Sequence, residues 1–151
     1  MRVLGVDFGT RRIGLALSDE TATLARPWQT MEAAGSPLAS AEALARLLAT
    51  ARANDDEEAA GIGAIIVGLP RRLNGEDNEQ TQPARTFAAA LAERTGLEVR
   101  LEDERLSSHE AESRLAVREK DWRRRKAKLD AAAAAVILQD YLDRQDYLNR
   151  A

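Results

Sequence analysis

The run Arg2-Val3-Leu4-Gly5-Val6 ends on a carboxylate, Asp7, and a second apolar run, Ile13-Gly14-Leu15-Ala16-Leu17, begins a few residues later. Both runs are strand-length and almost wholly apolar, the pattern of strands covered on both faces of a sheet. Gly9 lies in the short connection, so the chain turns straight back on itself. This feature restricts the fold to a layered α/β sheet whose central strand carries an acid at its end. An ionised Asp in such a low-dielectric place needs a compensating cation or several hydrogen bonds. Two readings follow: Asp7 accepts backbone N–H bonds from the Phe8-to-Arg12 turn, or it serves a bound cation.

The rest of the chain is compatible with one domain spanning residues 1–151. At 151 residues there is room for a real core, and 44% hydrophobic with 31% charged residues is the balance of an ordered globular protein. The absence of cysteine excludes a disulfide scaffold and a thiolate metal site. Met1-Arg2 runs directly into the first strand, and the longest apolar run, Ala131 to Leu138, is too short to span a bilayer. The expectation is a cytoplasmic protein with no membrane partner.

In chain order, Thr21 to Met31 supplies a third strand. Pro27 within it predicts an edge position, because proline cannot donate to a ladder. Ser36-Pro37 opens a helix running to about Asn54, with Leu38, Ala41, Leu44, Ala45, Leu48 and Ala51 on its apolar face. Asp55 to Glu58 reads as an acidic surface connection. Ile62 to Val67 is a central strand, followed by a long polar loop through Asn74-Gly75. A helix from about Gln82 to Thr95 turns Phe87, Ala88, Leu91 and Ala92 inward and stops at Gly96. Leu97, Val99 and Leu101 alternate with charges as a half-buried strand. Ser107 to Glu110 has capping-box spacing for a short helix, and a last helix runs from about Ala127 to near Leu148. This order predicts an α/β fold: a mixed five-stranded sheet, three antiparallel strands then alternating helix and strand, with helices on both faces.

Besides Asp7, two acids sit where a loop meets the end of an element: Glu104, beside Glu102 and Asp103, and Asp130, placed by this reading at the start of the last helix. A helix N-terminus favours an ionised carboxylate by roughly 0.3–1 kcal/mol. If Asp7, Glu104 and Asp130 converge, their repulsion calls for divalent cations. Oxygen ligands without His or Cys suit Mg²⁺ or Mn²⁺, the ions that serve phosphodiester hydrolysis. The alternative is a helix cap at Asp130, an Arg105 partner at Glu104 and a satisfied turn residue at Asp7.

The net charge of −3 does not advertise nucleic-acid binding, so any such role must be local. Arg118, Lys120, Arg123, Arg124, Arg125, Lys126 and Lys128 crowd one stretch with Trp122 among them. Cations interleaved with an aromatic suit a phosphate backbone and a stacked base; the bland reading is a solvated helix face. Arg11, Arg12, Arg71, Arg72 and Arg105 flank the expected catalytic edge. No base-reading pattern is present. His109, the only histidine, reads as a first-turn helix residue.

Four blocks carry a resemblance. Gly5-Val6-Asp7-Phe8-Gly9-Thr10-Arg11-Arg12-Ile13-Gly14-Leu15-Ala16 resembles the opening of the YqgF (RuvX) family, RuvC-like proteins described as Holliday-junction resolvases and as nucleases maturing the 5′ end of 16S ribosomal RNA. Ile66-Val67-Gly68-Leu69-Pro70 with Asn74-Gly75, then Asp103-Glu104-Arg105-Leu106-Ser107, then Lys128-Leu129-Asp130 with Ala133-Ala134, Ile137-Leu138 and Tyr141-Leu142, are similar to the family's later blocks. The match runs end to end and in order. Ser108 stands where the family usually has Thr, and Ala127 where it commonly has Gly.

The resemblance implies an RNase H-like fold with Asp7, Glu104 and Asp130 as metal-binding catalytic acids, Asp103 being the rival to Glu104. It also implies a nuclease working on pre-16S ribosomal RNA or, alternatively, on branched DNA. Resolution of a junction requires two sites and so a homodimer. Two rivals differ in class. One is a sugar-kinase-like ATP binder, which shares Asp-x-Gly-Thr but uses two such domains; the other is an RNA-binding assembly factor without catalysis.

Overall fold

In a computed structural model, described here for residues 1–71, 74–103 and 122–150, the strands are β1 (Arg2–Phe8), β2 (Arg12–Ser18), β3 (Ala25–Glu32), β4 (Ile62–Leu69) and β5 (Glu98–Asp103). The helices are α1 (Pro37–Ala53), α2 (Thr81–Thr95) and α3 (Trp122–Arg150). The expected Ser107 helix lies outside the described residues. The sheet order is β3-β2-β1-β4-β5, with β1 antiparallel to β2 and parallel to β4, and β4 parallel to β5. The expected mixed five-stranded sheet is therefore present, with β1 at its centre.

Alternation along the strands divides the side chains between two layers. Leu4, Val6, Ile13, Leu15, Ile65 and Val67 pack with Leu44 of α1 and with Phe87 and Leu91 of α2. Phe8 stacks on Phe87 with ring centroids 4.4 Å apart and planes 3° from parallel. On the opposite face Val3, Ala16 and Ile66 pack against Ala134, Ile137, Leu138 and Leu142 of α3. Gly5 belongs to this second face, and a Cβ built on it would fall 2.7 Å from Leu138 Cβ. The strand thus leaves out a side chain where Leu138 of α3 packs against it.

β3 is an edge strand, as Pro27 predicts. Its register shifts opposite Leu15 and Ala16, which pair with Gln29 and Pro27, so Trp28 is the extra residue of a bulge beside the proline. β3 begins at Ala25 rather than Thr21, because the preceding residues form a tight turn around Asp19. Ser36 caps α1, its hydroxyl oxygen accepting from Ala39 N at 3.1 Å. Gly96 ends α2 in the left-handed conformation (φ 70°).

Two expectations need correction and one gains detail. Leu38 is 57% exposed, and Ser40 takes a buried place on α1 instead, its Oγ accepting from Ala34 N. Residues Glu57–Ala59 form a single 3₁₀ turn capped by Asp56 within the acidic connection. The last helix begins at Trp122, not near Ala127. Basic residues have good helix propensity, so the alanine-rich pattern simply extends backwards through them.

Candidate active site

The strand pairing places Asp7. In the β1–β2 ladder Asp7 is directly opposite Gly14, and directly opposed residues of an antiparallel pair share a face. That face is the one α3 covers, since a Cβ on Gly14 would fall 1.9 Å from the backbone oxygen of Asp130. Glycine in the interior of a strand marks such a backbone approach. Asp7, at the end of the central strand, and Asp130, on α3, thus come to one patch of the sheet with Gly14 between them.

Asp130 is not at a helix start. With α3 beginning at Trp122, Asp130 lies in the third turn, beyond the reach of the helix-dipole stabilisation expected for it. Its charge is met by Arg12, whose Nε donates to Asp130 Oδ2 at 2.9 Å, both side chains being about one-quarter exposed. Arg12 is on the same face as Gly14 by alternation. Its cross-strand partner on β3 is Glu32.

At β5 the acids diverge. Glu102 is 6% exposed and receives an ion pair from Arg144 of α3. By alternation Asp103 faces away from α3, and its carboxylate lies 3.8 Å from Arg71. Glu104, the next residue, lies outside the described residues, and among those described no group of three metal-ligating side chains occurs.

The basic residues separate as well. Arg71 is paired with Asp77 and Asp103, at 3.5 and 3.8 Å. Lys128 is exposed, near the groove between β3 and α3. The backbone of Trp122, Arg123, Arg124, Arg125 and Lys126 is helical, and their side chains lie outside the described residues. So do Arg72, Arg105, His109, Arg118 and Lys120.

Sequence reading missed three participants: the contact role of Gly14, the Arg12–Asp130 pair, and the burial of Glu102. Only the first left a signal, a glycine in the middle of an otherwise apolar strand.

The mixed β3-β2-β1-β4-β5 sheet, covered by α3 on one face and by α1 and α2 on the other, defines the α/β class that the order of elements predicts. The chain belongs to the RuvX family: the family model described as "RuvX: Holliday junction resolvase" matches residues 1–144. A protein of Anaeromyxobacter dehalogenans (strain 2CP-C) named "Putative pre-16S rRNA nuclease" is 45% identical over 145 residues, covering 96% of this chain and 98% of that one. One of the same name from Maridesulfovibrio salexigens is 40% identical over 144 residues, covering 95% and 99%. The crystal structure of the fowlpox virus Holliday junction resolvase is similar with a TM-score of 0.51 at 11% identity, covering 96% of this chain and 99% of that one. At that identity the likeness shows the fold alone.

Proposed function

We propose that this chain is a divalent-metal-dependent nuclease that hydrolyses phosphodiester bonds, with the 5′ end of pre-16S ribosomal RNA as its substrate. The observation that supports the reading is the close approach of α3 to β2 at Gly14, which brings the backbone of Asp130 to the residue directly opposite Asp7. The names of the relatives support the substrate class.

The donor set fits a hard cation: carboxylate oxygens on a shared face, one already neutralised by a guanidinium. Asp7 and Asp130, with Glu104 following β5, would hold Mg²⁺ or Mn²⁺. When bound, such ions supply an activated water and stabilisation of the leaving 3′ oxygen. The protein's part is to carry Asp7 on the central strand and Asp130 on the covering helix, at the α3–β2 contact. Lys128 and the helical basic stretch before it offer phosphate contacts outside the site. Action on ribosomal RNA would put its work in the cytoplasm.

The family description favours a second substrate, branched DNA, which would require paired sites in a homodimer. One assay separates the readings. With Mn²⁺, wild type and Asp7→Asn are compared on pre-16S RNA, unstructured RNA and a four-way DNA junction. Expected is cleavage of pre-16S RNA by wild type, reduced by roughly 10²-fold or more in the variant as a key electrostatic group is lost, with RNA binding retained. Preferential junction cleavage establishes the DNA reading. Growth and 16S maturation unaffected by Asp7→Asn would mark a non-catalytic assembly factor.

A further inference from the structure

We infer that Arg12 is the resident counter-cation of the site: it neutralises Asp130 when no divalent ion is present, and metal binding must displace it. The inference rests on the metal-dependent reading above and assigns Arg12 a role other than gripping substrate phosphate.

The Arg12 Nε bond to Asp130 Oδ2, 2.9 Å long, puts a fixed positive charge on a carboxylate that faces the same patch as Asp7. Without it two acids would repel one another under a helix, at a place where solvent screening is reduced. The pair therefore offsets the repulsion between the two acids. The same charge opposes an incoming divalent cation, because the guanidinium occupies an oxygen that the ion would use and repels it as well. Arg12 also has somewhere to go. Glu32 is directly across the β2–β3 ladder, within reach of a long side chain on the same face. Exposed Glu32, at the sheet edge, is a second seat for the guanidinium once Asp130 is engaged.

This role predicts effects of opposite sign on two properties. In EDTA, Arg12→Gln melts at a lower temperature than wild type, since the guanidinium bond to Asp130 is gone. In a Mn²⁺ titration of the full chain, read by the paramagnetic resonance of free Mn²⁺, the same variant binds roughly tenfold more tightly, because a repelling charge has gone. Arg12→Lys keeps the charge and binds within about threefold of wild type. A residue that merely oriented Asp130 would give the reverse: weaker binding in both variants. Equal or weaker Mn²⁺ binding by Arg12→Gln therefore overturns the inference, with Arg12→Lys deciding the matter if the glutamine variant does not fold. Wild-type binding that is lost in Asp7→Asn keeps the metal reading intact in that case; no Mn²⁺ binding by wild type sinks both.

Discussion

Gly14 shows how much one missing side chain decides. Any Cβ there would lie 1.9 Å from the Asp130 carbonyl oxygen and 2.9 Å from Ala131 N, and backbone atoms cannot swing aside as a flexible side chain does. Gly14→Ala must lift α3 from β2 at the very turn that carries Asp130. The expected cost is about 1–3 kcal/mol of stability, the range for overpacking, together with loss of nuclease activity; urea unfolding and the cleavage assay measure the two.

Asp19 works by a different physics. Its carboxylate accepts from the backbone N–H of Thr23 at 2.8 Å, from the Thr21 hydroxyl at 2.8 Å and from Leu24 N–H at 3.2 Å, which together hold its pKa below the usual value. A depressed folded-state pKa stabilises above the unfolded value, near about 3.9, and that contribution disappears as pH falls through the folded value. Asp19→Ala is thus expected to melt below wild type at neutral pH. Calorimetry should show the two melting temperatures converging as the solution is made strongly acidic.

Among the elements, α3 does the most. It supplies Asp130, covers β1 and β2, and is tied to β5 through Arg144 and the buried Glu102. Arg144 is 59% exposed, so most of its own charge is screened, whereas the side chain of Glu102 is 7% exposed. Removing the arginine leaves a buried charged acceptor short of a partner, with an expected cost of about 1–3 kcal/mol. Glu102→Gln, which deletes the charge instead, should cost less than Arg144→Ala. The ordering of the two variants in urea denaturation checks whether the desolvated carboxylate or the ion pair itself dominates. β3 contributes differently: Pro27 and the Trp28 bulge in its pairing with β2 make the edge strand irregular, a protection against edge-to-edge pairing with a second sheet.

For the molecule as a whole, the metal site proposed at the junction of α3 and the sheet would couple ion binding to global stability. An ion that binds only the folded chain stabilises it by about 2.7 kcal/mol at a hundred times its dissociation constant. Mn²⁺ is therefore expected to raise the melting temperature of wild type, EDTA to reverse the rise, and Asp7→Asn to abolish it. Thermal scans with and without chelator test this independently of any substrate. No helix among the described residues is long and apolar enough to cross a membrane.

Much of this was legible in the chain itself. Short apolar runs, Pro27, the Ser36 cap and Gly96 each act through local backbone chemistry, so they announced the strands, the edge, and the helix ends without reference to distant residues. Asp7 was conspicuous for the same reason, being a charge at the end of a buried strand. The partners of those residues were not legible. Which carboxylate Arg12 reaches, which way Asp103 turns, and how deeply Glu102 is buried depend on strand register and on where α3 crosses the sheet. Those are contacts between residues far apart in sequence, fixed only when the two faces of the sheet are packed. Local propensity has no term for them.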